Sequence, residues 1–351
     1  MKIVLGGYYG CGNIGDDALL YGLLTGLGAA PWQITVLSGN PEETRRQFGH
    51  PAVPRKNLGA IKDAIDGADA LVLGGGGLLQ DKTSLLSLKY YTHLIATAKK
   101  ADKKVALLAQ GIGPINSFLG KRAASGALAA CDLVSVRDTE SLAVARGLGC
   151  HRAELTADLA WLARPSQTPA VEFGMAGMKS VAISARPWSN DKKIAEAFGG
   201  FCQILFRNNY IPVLVEMDRG MDTKILDAIA KLHGGRCPDI RNVVHPADML
   251  ARIGRMNAVV SMRLHAGIFA AISGIAPTMV AYDPKVASFV QIMGLPKALA
   301  VEQLTSEALW DMFRSFEEQR AGFSAEFERR REEQLKLSMR NVELLRSTLQ
   351  A

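Results

Sequence analysis

Short apolar runs rich in Val, Ile and Leu alternate along this chain with segments of helical periodicity, and that alternation admits few architectures. In the first half the runs are KIVLGG near the start, ITVLSG at 34–39, ALVLGGGG at 70–77, VALLAQG at 105–111 and LVSVRD at 133–138, with a short one at 153–156. Helix patterns lie between them, as at 83–100 and 121–130. Apolar runs of this length suit strands buried on both faces, and strands alternating with helices build parallel sheets through crossover connections. The proline-bearing stretch ARPSQTPAVEFG at 163–174 suits an interdomain linker. The pattern then restarts with SVAISAR at 180–186, IPVLVEM at 211–217, NVVH at 242–245, AVVSMR at 258–263 and TMVAYD at 278–283, separated by helix patterns such as 192–207 and 222–232.

The expected fold class is therefore α/β: two Rossmann-like doubly wound domains facing a cleft, over residues 1–165 and 175–320. A length of 351 residues agrees with two domains. A charged helix over 321–351 carries Leu335, Met339, Val342, Leu345 and Leu349 as one apolar stripe, expected to pack back on the N-terminal domain.

Lys and Arg outnumber Asp and Glu by 41 to 34, a formal charge of +7. Such a balance suits an anionic substrate or a membrane surface. Nucleic acid is not expected as a partner, because there is no arginine-rich arm or basic motif with interleaved aromatics. The five cysteines are scattered and form no CxxC, which argues against a disulfide framework or zinc site and for a reduced, cytoplasmic setting. The N-terminus runs straight into a strand pattern with no signal peptide, and no apolar run is long enough to span a bilayer. Any membrane contact would be peripheral.

In doubly wound sheets ligands sit outside the carboxyl ends of the strands. Four strand ends of the first half are unusual: GGYYGCGNIGDDALL at 6–20, GGGGLLQD at 74–81, QGIGP at 110–114 and RDTES at 137–141. Glycine lets a ligand approach the backbone closely, and a helix start favours an anion. The first loop spells GxGxxG, yet the acidic ribose partner wanted after the second strand is missing from LSGNPEE. Asp16 and Asp17 in the following first turn would repel a pyrophosphate; capping and acceptor binding both remain open for them. The second half supplies cations at three strand ends: Arg186, then Arg263 with His265 in SMRLHAGIFAA, then Lys285. An arginine grips phosphate or carboxylate through its fork, amides near Leu264 add donors, and His265 can move a proton near neutral pH. No His, Asp and Glu cluster shows metal-ligand spacing, and no GxSxG elbow or Walker loop occurs.

In GGYYGCGNIGDDALL, GGGGLLQD, QGIGP, VRDTES, TADLAWL, ISARPW and SMRLHAGIFA, in that order over about residues 1–290, the sequence resembles the polysaccharide pyruvyl transferase family. The resemblance implies a fold like that of B-type glycosyltransferases. It also implies phosphoenolpyruvate as co-substrate with no further cofactor, and a sugar acceptor on which a pyruvate ketal bridges two hydroxyls of a cell-surface glycan. In bacterial members making cell-wall polymers the acceptor is a lipid-linked saccharide, which would put the work at the inner face of the membrane. Carried onto this chain, the resemblance assigns Arg186, Arg263, the Leu264 amide and His265 to phosphoenolpyruvate, and Lys285 joins them from its strand-end place. His265 is the candidate acid/base and Arg263 the stabiliser of the departing phosphate. Asn13, Gly15, Asp16, Gly75, Gly76, Gln110, Arg137 and Asp158 make up the acceptor side, with Asp16 or Asp158 as base. Two other readings share these features: a nucleotide-sugar glycosyltransferase, for which Glu216 is the nearest ribose partner, and a non-enzymatic protein binding anionic glycan or lipid phosphate. No segment names the acceptor sugar or an oligomeric state.

Overall fold

A computed structural model describes residues 1–29, 31–81, 85–167, 177–235 and 237–350. The chain divides into two units, one of Met1–Cys11, Asp16–Ala163 and Gln334–Ala351, the other of Gly12–Gly15 and Arg164–Glu333.

The first unit runs β1 (Lys2–Gly6), α1 (Ile14–Leu27), β2 (Gln33–Ser38), α2 (Pro41–Phe48), β3 (Ala52–Pro54), α3 (Leu58–Asp66), β4 (Ala70–Gly74), α4 (Leu85–Lys100), β5 (Lys104–Gln110), α5 (Phe118–Ala130), β6 (Leu133–Val136), α6 (Thr139–Gly147) and β7 (Glu154–Leu155). Its seven strands are all parallel, in the order β3-β2-β1-β4-β5-β6-β7. β1, β4 and β5 are buried almost throughout, which is why they read as unbroken apolar runs. β3 left no such run: three residues at a sheet edge bury little, and its terminal proline is tolerated there. α5 starts at Phe118, ahead of the expected 121, because the Ser117 hydroxyl accepts from the Gly120 amide and caps it. The first two residues of the helix expected at 83–100 lie outside the described residues.

The second unit runs β8 (Lys179–Ser184), α7 (Asp191–Arg207), β9 (Tyr210–Val215), α8 (Thr223–Leu232), β10 (Asp239–Ile240), α9 (Pro246–Ile253), β11 (Ala258–Ser261), α10 (Leu264–Ile272), β12 (Thr278–Ala281), α11 (Pro284–Ile292) and β13 (Leu299–Ala300). The sheet order is β10-β9-β8-β11-β12-β13, again all parallel. The strand expected at 242–245 is not one. Asn242 takes a left-handed conformation at φ 54° that ends the extended chain, and His245 caps α9 through its ring Nδ1, which accepts from the Ala247 amide at 3.1 Å. Of the linker expected at 163–174, the part from residue 168 lies outside the described residues.

The final helix, α12 (Ser306–Gln350), is longer than the sequence pattern suggested and begins well before residue 321. Gly322, inside it, costs only about 1 kcal/mol against alanine, too little to break a helix of this length. Its last part, from Gln334, packs within the first unit, but not through the whole expected stripe: Val342, Leu345 and Leu349 are buried, whereas Leu335 and Met339 are exposed. The buried face is partly polar instead. Asn341 Oδ1 accepts from Ser135 Oγ at 2.6 Å and Thr156 Oγ1 at 2.9 Å, its Nδ2 donates to the Ala157 carbonyl, and Ser338 Oγ donates to the Asp158 carbonyl.

Strand order reverses between β1 and β4 in one sheet and between β8 and β11 in the other. These are the points at which doubly wound sheets bind ligands, beyond the strands' carboxyl ends.

Candidate active site

In the second unit the switch point carries Arg186, two residues past β8, and Arg263, two residues past β11 at the cap of α10. Arg263 is buried, and its guanidinium lies fork-on-fork against Asp222: Nε donates to Oδ2 at 3.1 Å and Nη2 to Oδ1. The same Nη2 is 3.3 Å from Asp218 Oδ2. Asp222 is wholly buried, and its Oδ2 also accepts from the Met217 and Asp218 amides at 3.2 and 3.0 Å. Burial pushes both aspartyl carboxyls above the usual range, against the opposing pull of Arg263. One guanidinium thus faces two carboxylates, and its charge is compensated before any ligand arrives.

Arg186 is held differently. Its Nη1 donates to Tyr282 Oη at 2.8 Å and its Nε to the Pro187 carbonyl at 3.2 Å. The guanidinium carbon lies 4.5 Å from the Tyr282 ring centre and 5.5 Å from that of Trp188. Lys285 Nζ, at the start of α11, is 5.7 Å from the Tyr282 ring. Among the described residues neither Arg186 nor Lys285 forms an ion pair with a carboxylate. Burial alone would raise the Tyr282 phenol; Lys285, Arg186 and Arg263 outweigh it and hold the phenol below its ordinary value.

The opening glycine loop contributes to this unit. The Ile14 amide donates to the Met217 carbonyl and the Arg219 amide to the Gly12 carbonyl, both at 2.9 Å, so that Asn13 and Asp218 form an antiparallel bridge. Asn13 Oδ1 accepts from the Gly15 amide at 3.0 Å. A β-carbon on Gly15 would stand 2.2 Å from His265 Nδ1, so the imidazole occupies the space that any larger residue would fill. Asn13 and Gly15, expected within the first domain, therefore belong with His265 and Asp218 in the second unit.

In the first unit Gly75 and Gly76 take left-handed conformations at φ 73° and 81°, which only glycine adopts cheaply. A β-carbon on Gly76 would lie 3.5 Å from Asp16 Oδ1. Gln110 is wholly buried; its amide donates to the carbonyls of Leu73, Leu108 and Gly75 and fixes that loop from beneath. Arg137 repeats the arrangement of Arg263: Nη1 is 3.1 Å from Asp158 Oδ2 and Nε 3.5 Å from Asp138 Oδ2. Asp158 also accepts from the Ala160 amide, and Asp17 from the Gly10 amide at 2.7 Å. Gln110, Arg137, Asp158 and Asp17 thus shape the strand-end loops, whereas Asp16 and the two glycines lie along them.

Residues 13–284 match the polysaccharide pyruvyl transferase family. The chain belongs to that family. Its fold is shared with B-type epimerases and glycosyltransferases of low identity. A UDP-GlcNAc 2-epimerase from Neisseria meningitidis bound to UDP-GlcNAc superposes with a TM-score of 0.63 at 12% identity, over 99% of this chain and 100% of that one. The UDP-GlcNAc 2-epimerase of Methanocaldococcus jannaschii gives 0.61 at 12% over 90% and 92%, and the glycosyltransferase SnogD of Streptomyces nogalater 0.58 at 14% over 99% of each. At these identities the likeness shows the fold alone.

As a pyruvyl transferase acting on polysaccharide, the protein has site features that sequence reasoning passed over. Tyr282 and Trp188 stand just past strand ends beside cations, in AYDPK and ARPW, and that adjacency was the available signal. Asp218 and Asp222 follow β9 in EMDRGMD, two acids four residues apart at a strand end. Glu216, the ribose candidate of the rival reading, is buried and engaged: Oε1 accepts from Thr223 Oγ1 at 2.6 Å and Oε2 from the Asn242 amide. Among the described residues no three His, Cys, Asp or Glu side chains are placed to hold a metal ion.

Proposed function

We propose that this pyruvyl transferase takes pyruvate from phosphoenolpyruvate and sets it as a ketal across two hydroxyls of a sugar in a lipid-linked cell-surface polysaccharide precursor, releasing phosphate. The observation that carries the donor is the cluster of Arg186, Tyr282 and Lys285 at the switch point of the second sheet. Its cations form no direct ion pair with a carboxylate among the described residues, although Arg186 is near enough to help Arg263 hold the Asp218 carboxyl down. Phosphoenolpyruvate brings a carboxylate and a phosphate. Arg186 suits one of them as a fork, Lys285 serves as a second positive charge, and the Leu264 amide that opens α10 adds a donor.

In the first step the methylene carbon takes a proton from His265 while a sugar hydroxyl oxygen attacks the adjacent carbon, and the hydroxyl proton passes to Asp218. Burial raises the Asp218 carboxyl above its ordinary value, against the pull of Arg263 and Arg186, which makes it a stronger base than a free carboxylate. The tetrahedral adduct bears the sugar ether and the phosphate on one carbon. The carbon–oxygen bond to phosphate then breaks, phosphate leaves with the electron pair and accepts the proton held by Asp218. The second hydroxyl closes the ketal and returns its proton to His265. Atoms balance with the donor and two hydroxyls alone. Proton transfer by His265 is worth about 10²–10⁴-fold. Arg263 acts here through Asp218 and Asp222, holding them in place.

Asp16, Gly75 and Gly76 are the acceptor candidates in the first unit. No described helix is long and apolar enough to cross a membrane. A lipid-linked acceptor would be met at a membrane face. The test is phosphate release from phosphoenolpyruvate with a saccharide acceptor. His265→Asn should lower turnover by about 10²–10⁴-fold, while Arg186→Gln should weaken donor binding. Near-normal turnover in both variants would sink the assignment. A nucleotide-sugar transferase would instead have its melting midpoint raised by UDP-GlcNAc and not by phosphoenolpyruvate.

A further inference from the structure

Arg55, Arg137, Arg186 and Arg263 all stand within two residues of a strand end, yet they fall into two kinds. Arg137 and Arg263 each lie against two carboxylates. Arg186 and Arg55 do not. Arg55, the residue after β3, donates from Nη2 to Tyr91 Oη at 3.0 Å and from Nη1 to Cys11 Sγ at 3.6 Å. Its guanidinium carbon lies 4.9 Å from the Tyr8 ring centre and 5.1 Å from that of Tyr90. Among the described residues it makes no ion pair, and its buried Nε has no hydrogen-bond partner. The backbone is pinned: the Arg55 amide donates to the Ser38 carbonyl, and its carbonyl accepts from Tyr90 Oη, each at 2.8 Å.

The groups around it stay neutral. Burial pushes the Cys11 thiol and the Tyr90 and Tyr91 phenols above their ordinary values, in spite of the nearby guanidinium. A half-buried cation is thus held rigidly by uncharged partners at the carboxyl edge of a parallel sheet, where ligands bind. Beside it Tyr8 is 46% exposed. A part-exposed guanidinium that makes no ion pair suits an oxyanion, and a part-exposed aromatic side chain suits the C–H face of a sugar ring.

We propose that Arg55 and Tyr8 form a subsite for an anionic saccharide, a sugar ring carrying phosphate or carboxylate, with Arg55 on the anion and Tyr8 under the ring. This rests on reading the first unit as the acceptor side, and it assigns the acceptor a negative charge near its reacting sugar.

The experiment titrates the full-length protein calorimetrically with glucose 1-phosphate, glucuronate, methyl α-glucoside and inorganic phosphate, and separately with phosphoenolpyruvate. Whichever anionic sugar binds more tightly identifies the source of the charge. That sugar should bind wild type at least about tenfold more tightly than the neutral glucoside, as one charge-assisted hydrogen bond provides. Arg55→Gln should remove that difference and leave the phosphoenolpyruvate affinity unchanged, which also shows that the variant is folded. Arg55→Lys should keep part of the difference if the glutamine variant does not fold. Tyr8→Ala should bring sugar phosphate and inorganic phosphate to equal affinity. Equal binding of charged and neutral sugars, no binding of any sugar, or an unaltered Arg55→Gln would each overturn the subsite. Failure of the pyruvyl-transfer reading shows elsewhere, as absent phosphoenolpyruvate binding and phosphate release in wild type.

Discussion

Replacing Arg263 with alanine is expected to damage the second unit's stability before it reveals anything about catalysis. The side chain is buried and Asp222 is wholly so. Without the guanidinium, Asp222 keeps only the amides of Met217 and Asp218 as donors, and Asp218 stays beside it. Breaking a buried pair from one side costs about 3–5 kcal/mol. Counting the two charge-assisted hydrogen bonds lost, at about 1.5–3 kcal/mol each, gives a similar sum. With a denaturant slope of about 2 kcal/mol/M, the urea midpoint should fall by roughly 2 M. Trp188 and Trp310 report on this unit and Trp32 and Trp161 on the other, so single-tryptophan versions can locate the loss. The deficit should shrink in acid. Burial already raises the Asp222 carboxyl, and removing Arg263 raises it further, so the penalty is present above that raised value and fades as pH falls through it. Arg263→Met combined with Asp222→Asn should recover part of the stability, because the wholly buried Asp222 charge is then removed, while the Asp218 carboxylate remains without Arg263. A loss below about 1 kcal/mol, unchanged between pH 5 and pH 8, would refute the role of strut and return Arg263 to the ligand.

Gly15→Ala should displace the His265 ring, since the added carbon would stand 2.2 Å from Nδ1; a fall of about 10²-fold in phosphate release is expected, with stability lowered by no more than about 3 kcal/mol. In a 295 nm titration, Tyr282→Phe should remove a phenol that ionises below its ordinary value of 10.0. Because the unfolded chain holds that proton longer, wild type should gain stability over Tyr282→Phe as pH rises from the folded value toward 10 and lose the gain as pH falls back below it. Asn341→Leu should cost the first unit about 1–3 kcal/mol in urea unfolding followed at Trp161, by leaving the Ala157 carbonyl without the Asn341 amide and the Ser135 and Thr156 hydroxyls with only their backbone partners.

The two-sheet plan was legible because a parallel strand buried on both faces leaves an apolar run whatever surrounds it, as in ALVLG of β4 and SVAIS of β8. The edge strands β3, β10 and β13, two or three residues long, bury too little to mark the sequence. The positions of Arg186, Arg263, His265 and Lys285 past strand ends could likewise be read directly, since chain order places them there.

What those residues face could not be read. Arg55, Arg137, Arg186 and Arg263 look alike as letters after a strand, and an anion grip differs from a strut only in the partner. Asp222 lies 41 positions from Arg263, and Tyr282 lies 96 from Arg186. Those pairings arise from strand order and from where each loop turns, not from local periodicity. The opening loop shows the same division. Its glycines and Asn13 announce a turn into a helix, but only the folded chain brings Gly15 against the His265 ring and leaves no room for a β-carbon. The layers and the sheet edge at which chemistry can occur are written in the amino-acid order, because burial acts on each strand separately. Charge compensation depends on distances across the fold, which is why the ion pairs of Arg137 and Arg263 are visible only once the chain has folded.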